Sequence, residues 1–224
     1  MDIGIVHYNS PELTTALVRS IRKNLTDADV TIFDNSDRRP FRPLLPEINY
    51  IDNTRGQILD FDAFLAQYPE GVPTDSNFGS VKHTMSVDAL FDYLPDGFIL
   101  MDSDILVTKD CSELADPSVA WAGKVYANRF VWYQKIPRLK PELCWINVPM
   151  CRERGIRYFD AERTWRLRPM MLWDTGASFL ADCTAAALPS RRVNIDEYMV
   201  HYHHGSWSKS DPVTWLKENE QFYI

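Results

Sequence analysis

No Cys-x-x-Cys pair occurs in this chain. Cys111, Cys144, Cys151 and Cys183 lie far apart, a spacing that speaks against a zinc knuckle or dithiol redox site and leaves reduced structural thiols. No apolar run approaches the roughly 20 residues of a membrane-spanning helix, so a soluble protein is expected. A cationic surplus is missing too: 24 Lys and Arg stand against 31 Asp and Glu, a net charge of −7, which disfavours nucleic acid as a partner. The N-terminus has no basic region followed by a cleavable apolar stretch, so no signal peptide is visible and a cytoplasmic location is the default expectation. Without secretion, the sequon at Asn24, Leu25 and Thr26 carries no meaning. There is no internal repeat, low-complexity tract or interdomain linker. A chain of 224 residues folding as one domain buries roughly 70% of the surface its unfolded form exposes, so residues 1–224 read as a single unit.

What is present is an alternation of strands and helices. Ile3, Gly4, Ile5 and Val6 form a short apolar run, as a strand buried on both faces would, ending in the polar His7, Tyr8, Asn9 and Ser10. Ser10 as N-cap and Pro11 at the first helical position then open a helix whose Leu13, Leu17 and Ile21 recur at helical spacing as far as Asn24. Residues 30–33 give a second strand ending in Asp34, Asn35, Ser36 and Asp37, and residues 48–51 a third ending in Asp52 and Asn53. Helices are expected over 62–67 and 80–94, and a fourth strand over 98–101. The pattern predicts an α/β, Rossmann-like fold: a mostly parallel central sheet flanked by helices, with ligands beyond the carboxyl ends of the strands. Beyond residue 104 it weakens to strand-like pieces at 119–122 and 144–148, a helix near 177–188 and a polar tail. Residues 1–108 hold the regular pattern, and 109–224 read as the acceptor side of the same domain, with a polar tail.

The strongest chemical signal is Asp102, Ser103, Asp104 at the end of the fourth strand. Side chains alternate along a strand, so residues 102 and 104 are expected on one face, where both carboxylates address one Mn²⁺ or Mg²⁺. An isolated Asp-x-Asp is also what a solvated strand-end turn looks like. His83 is placed early in its helix, to touch donor phosphates at the helix N-terminus or to make a structural hydrogen bond. Asp174, between Trp173 and the turn-forming Thr175 and Gly176, reads either as a catalytic base or as the N-cap of the following helix. Asp196 with Glu197 is a competing acidic pair. His201, His203 and His204 cluster in a chain of only 5 histidines, a lead for metal ligation in which His201 ranks first and His203 second. Arg152, Arg154, Arg157, Arg163, Arg166 and Arg168 form either a surface for an anionic acceptor or membrane, or a solvated face. Trp121, Trp132, Trp145 and Trp165 suit sugar stacking or core packing.

The whole chain resembles GT-A glycosyltransferases, in particular the inverting family of bacterial polysaccharide and lipopolysaccharide sugar transferases. Three marks carry the resemblance: the first-strand tip His7, Tyr8, Asn9; the second-strand tip Asp34, Asn35, Ser36; and Asp102, Ser103, Asp104. Leu172 to Ala177, and His201 to Trp207, match the family more loosely. The resemblance implies a nucleotide-diphosphate sugar as donor, contacted by those residues together with Asn53 and His83. It also implies a metal on Asp104 and the late histidines, Asp174 as base, and a saccharide or lipid-linked saccharide acceptor, with work near a membrane surface. Residues 100–108 also resemble the nucleophile strand of a haloacid-dehalogenase phosphatase, and a catalytically silent nucleotide or carbohydrate binder is a third reading.

Overall fold

The computed structural model describes residues 1–42, 47–67, 75–127, 134–161, 163, 171–202 and 211–224. Its centre is a seven-stranded sheet in the order β10-β6-β8-β4-β1-β2-β3. The strands are β1 (Asp2–His7), β2 (Asp29–Asp34), β3 (Asn49–Asp52), β4 (Phe98–Asp102), β6 (Trp121–Tyr126), β8 (Arg138–Ile146) and β10 (Ser190–Arg192). β1 lies parallel to both β2 and β4, and β2 is parallel to β3, while β8 runs antiparallel to β4 and β6. Two small sheets accompany it, β5 (Ile105–Val107) against β11 (Met199–His201), and β7 (Gln134–Lys135) against β9 (Met171–Leu172). The helices are α1 (Pro11–Asn24), α2 (Phe61–Ala66), α3 (Asp75–Tyr93), α4 (Val148–Arg152), α5 (Ala177–Ala185) and α6 (Pro212–Glu218).

The apolar runs of the first half are continuous because each strand has two faces to cover. Ile3, Ile5, Val30, Ile32, Ile99 and Met101 pack with Leu17, Val18 and Ile21 of α1 on one side. Val6, Phe33, Phe98 and Leu100 pack on the other side with Leu90 and Phe91 of α3 and Phe179 and Leu180 of α5. The mostly parallel sheet is therefore as expected, and its first four strands fall within a residue or two of the sequence reading.

Other expectations need correction. Ser10 precedes α1, but its hydroxyl donates to the Tyr8 carbonyl and caps no helical N–H. The tail is no plain polar extension: it supplies β11, and α6 contacts α1. α3 begins at Asp75, so residue 83 lies in the helix interior and not at its N-terminus. All four cysteines are buried free thiols. Among the described residues no helix is long and apolar enough to cross a membrane.

Gly176 fixes where α5 starts. Its φ of 80° lies in the left-handed region, and an added Cβ would stand 2.2 Å from the Leu139 carbonyl oxygen and 3.0 Å from the Tyr158 hydroxyl. Backbone strain and overlap act together there, so Gly176→Ala should lose roughly 2–5 kcal/mol of stability. A urea midpoint equal to wild type would show that this turn tolerates a side chain.

Candidate active site

β4 ends at Asp102, a turn takes residues 103 and 104, and β5 starts at Ile105. Strand alternation therefore does not carry through to Asp104, and the two carboxylates meet different partners. Asp102 Oδ1 lies 3.0 Å from His83 Nε2 of α3, and Asp104 Oδ1 lies 3.3 Å from His201 Nε2 of β11. His201 gets there through backbone pairing: β11 runs antiparallel to β5 with His201 opposite Ile105, and the Tyr202 N–H donates to the Asp104 carbonyl at 3.0 Å. Burial pushes the Asp102 carboxyl up, but His83 first, then His201 and Arg138, hold it below its ordinary value. Burial works against a charged His201 as well; its hydrogen bond to Asp104 and the charges of Asp104, Asp102 and Glu142 raise it above the ordinary imidazole value.

β8 brings residues that the sequence reading did not single out. Arg138 Nη1 contacts Asp174 Oδ2 at 3.1 Å, and Lys140 pairs with Glu142. No motif marks these three side chains, whose place follows only from β8 lying beside β4. Asp174 Oδ1 also accepts from Ser80 Oγ at 2.9 Å and from the Thr175 N–H at 2.9 Å. It is not the N-cap of α5, a position held by Gly176.

The first three strand tips are stitched to one another. His7 is fully buried, with Nδ1 2.7 Å from Thr14 Oγ1 and Nε2 3.2 Å from the Arg39 carbonyl, so its ring presents no free nitrogen to a nucleotide. Asp34, likewise buried, accepts from the Ser36 and Phe41 N–H groups and from the Tyr50 hydroxyl. Asn35 donates to Ser86 Oγ and accepts from Asn53 Nδ2, whose own Oδ1 accepts from the Ile58 and Leu59 N–H groups. The Asn9 N–H donates to Ser36 Oγ, while the Asn9 side chain and the Tyr8 hydroxyl hold Asp37. The side chains of His7, Asp34, Asn35, Ser36 and Asn53, at which donor contacts are expected, are engaged in these internal bonds and shape the tips, and Tyr8 and Asn9 sit at the rim.

Ser103 lies in the turn between the two carboxylates. His203 and His204, with Trp132, Trp165, Arg166 and Arg168, lie outside the described residues. Asp196 and Glu197 are exposed and paired with Lys124 and Lys109, away from Asp174's partners. Trp121 and Trp145 are core residues. The basic cluster is largely neutralised from within: Arg157 pairs with Asp88 and Asp92, Arg152 with Asp92, and Arg163 with Asp160 and Asp182.

No family model and no curated protein matches this chain. Solved structures do. The galactosyltransferase LgtC in complex with donor and acceptor sugar analogs aligns over 87% of this chain and 74% of its own, at 13% identity and a TM-score of 0.52. An active-site mutant of LgtC aligns over 87% and 73%, at 16% identity and a TM-score of 0.56. The shared property is the fold. In it, the Asp-bearing strand β4 is the fourth in sequence and central in the sheet, not the opening strand a phosphatase of the haloacid-dehalogenase type would have.

His7 makes a pH prediction. Burial, against the pull of Asp34, lowers its folded pKa below the ordinary value of about 6.5. Between those two values the unfolded chain holds a proton that the folded chain refuses, so this residue makes stability fall as pH drops below about 6.5. In urea melts from pH 7 to pH 5, His7→Gln should flatten that slope even if it lowers stability at pH 7. An unchanged slope would place the proton uptake elsewhere.

Proposed function

We propose that this chain is a glycosyltransferase that moves a sugar from a nucleotide-diphosphate sugar to an acceptor hydroxyl. The observation that carries the reading is the placement of Asp102 and of the Asp104–His201 pair at the carboxyl end of β4, on a fold shared with a galactosyltransferase. Ligands of α/β sheets bind at such ends.

Two carboxylates and an imidazole suit Mn²⁺, and less strictly Mg²⁺. Atoms each about 2.1 Å from one ion and at right angles to each other are about 3 Å apart, close to the 3.3 Å between Asp104 and His201. Asp102 Oδ1 is buried, and its contact is His83 Nε2 at 3.0 Å. Those residues alone hold no group of three potential ligands, so donor phosphate oxygens, and His203, are the further ligands in this reading. Such an ion, when bound, would neutralise charge on the departing diphosphate.

The chain's own groups have separate tasks. Asp102 and Asp104 would hold the ion that engages the diphosphate end of the donor, and Arg138 orients Asp174. Asp174, held by Arg138 and by the Ser80 hydroxyl, takes the proton of the acceptor hydroxyl in a direct displacement that inverts the anomeric centre. The acceptor is a saccharide or lipid-linked saccharide, the work is polysaccharide or glycoconjugate synthesis, and the site is cytoplasmic, at or near the inner face of the membrane.

A thermal-shift panel of UDP, GDP, dTDP and CMP, each with and without Mn²⁺, tests the donor site. Ligand at about 100 times its dissociation constant adds about 2.7 kcal/mol, a rise of several degrees. No shift under any condition would end the donor reading. Asp104→Ala should keep its fold and its melting temperature without ligand while losing the Mn²⁺-dependent part of the shift and transfer activity. Metal-independent turnover at the wild-type rate would refute the assignment. Retention of configuration in the product, read by NMR, would remove Asp174 as base.

A further inference from the structure

Beside the carboxylates of the proposed donor site lie buried polar atoms that the fold leaves unsatisfied. Among the described residues, His83 Nδ1, Arg138 Nε, Glu142 Oε2 and the Tyr158 hydroxyl are all buried and lack a hydrogen-bond partner. Such atoms are few in native proteins and each calls for a cause. Glu142 is the most demanding of them, a carboxylate only 4% exposed.

Its position follows from register. β4 and β8 pair Leu100 with Cys144 and Met101 with Leu143, so one further step sets Asp102 against Glu142. Leu100 and Cys144 face the core under α3, and two-residue alternation points Asp102 and Glu142 to that same side. Two carboxylates facing each other across a sheet repel. Lys140 answers one Glu142 oxygen and leaves the other open.

The chemistry narrows what fills that opening. A bare phosphate would meet repulsion from Asp102, Asp104 and Glu142 together. A second cation would compete with the Lys140 ammonium already paired with Glu142. The unsatisfied set mixes an acceptor, on Glu142, with donors, on Arg138 and Tyr158. A polyol fits both kinds, because every hydroxyl can give one hydrogen bond and accept others. A neutral pyranose ring is such a ligand.

We propose that Glu142 accepts a hydrogen bond from a ring hydroxyl of the transferred sugar and so determines which hexose the donor carries. This rests on the donor site described above and deepens it. The hydroxyl reaches Glu142 Oε2 while the diphosphate end stays at the Asp102 to Asp104 turn, so the sugar lies along the edge where β4 ends and β8 begins. A hexose lacking that hydroxyl leaves the carboxylate buried and unpaired, which is what makes the contact selective.

The test uses UDP-glucose, UDP-galactose, UDP-N-acetylglucosamine and GDP-mannose, taking forward the donor that the wild-type chain consumes. Glu142→Gln keeps the volume and removes the charge; Glu142→Leu removes the acceptor altogether. A hydrogen bond to a charged group corresponds to about ten- to hundredfold in affinity. The KM for the nucleotide sugar should therefore rise about tenfold in Glu142→Gln and further in Glu142→Leu. Affinity for the free nucleotide, UDP or GDP, should stay within twofold of wild type. One member of the deoxy series of that donor should be used equally by wild type and Glu142→Gln. A KM for Glu142→Gln within threefold of wild type overturns the assignment. So does a matching loss of free-nucleotide affinity, or a deoxy series in which no member removes the difference. Consumption of none of the four donors by wild type would sink the transfer reading and this inference together, whereas wild-type turnover with an unaffected Glu142→Gln sinks the inference alone. Should Glu142→Leu fail to fold, the near-isosteric Gln variant decides.

Discussion

Burial of β4 on both faces, between β1 and β8, is the constraint from which the site follows. A strand flanked by Phe98 and Leu100 packing on one side and Ile99 and Met101 on the other has no room for an unpaired charge. Its carboxylates can stand only where the sheet ends, and they do: Asp102 closes the strand and Asp104 follows in the turn. The same rule acts on β1 and β2, whose apolar bodies end at His7 and Asp34. There the polar groups bond to each other, which makes three neighbouring tips one rigid rim.

A second consequence concerns how the two halves of the chain share this edge. β8 runs against β4, so the start of β8 lies beside the end of β4, and Arg138, Lys140 and Glu142 arrive where Asp102 stands. β6 is antiparallel to β8 and so ends at the same edge, with Tyr126 against Arg138. β11 completes the arrangement by pairing with β5 immediately after the Asp104 turn. Backbone hydrogen bonds, and no long side-chain reach, thus bring together residues about a hundred positions apart.

The legible part of the sequence was the part in which burial writes a pattern. β1, β2 and β4 are continuous apolar runs because both their faces are covered, and α1 shows its inward stripe. Asp102 and Asp104 stood out because an apolar run stopped at them. The second half hid its strands for the opposite reason: β8 begins Arg138, Leu139, Lys140, Pro141, Glu142, where one face meets a polar site and the run is broken. β5 and β11 have three residues each, too short for any periodicity to register. The start of α3 was masked by Asp75, Ser76, Asn77 and Gly79, which read as loop, and that error moved His83 to a helix end it does not occupy. The same-face argument for residues 102 and 104 failed because it extended a strand through a turn.

The internal pairing at the tips also changes what the family-like motifs mean. Asp34 has its oxygens committed to two backbone N–H groups and a tyrosine hydroxyl, and Asn53 is bonded to Asn35 and to the 58–59 backbone. A nucleotide would have to break several buried hydrogen bonds to use these side chains, at a cost of about 1–3 kcal/mol for each group left unsatisfied. The partly exposed groups carry no such burden: Tyr8, whose ring faces Lys82 at 5.9 Å, and the Asp102 to Asp104 turn. The motif positions at β2 and β3 therefore shape the rim through their internal bonds, while Tyr8, the β4–β5 turn and the charged residues of β8 stand at the same edge of the sheet.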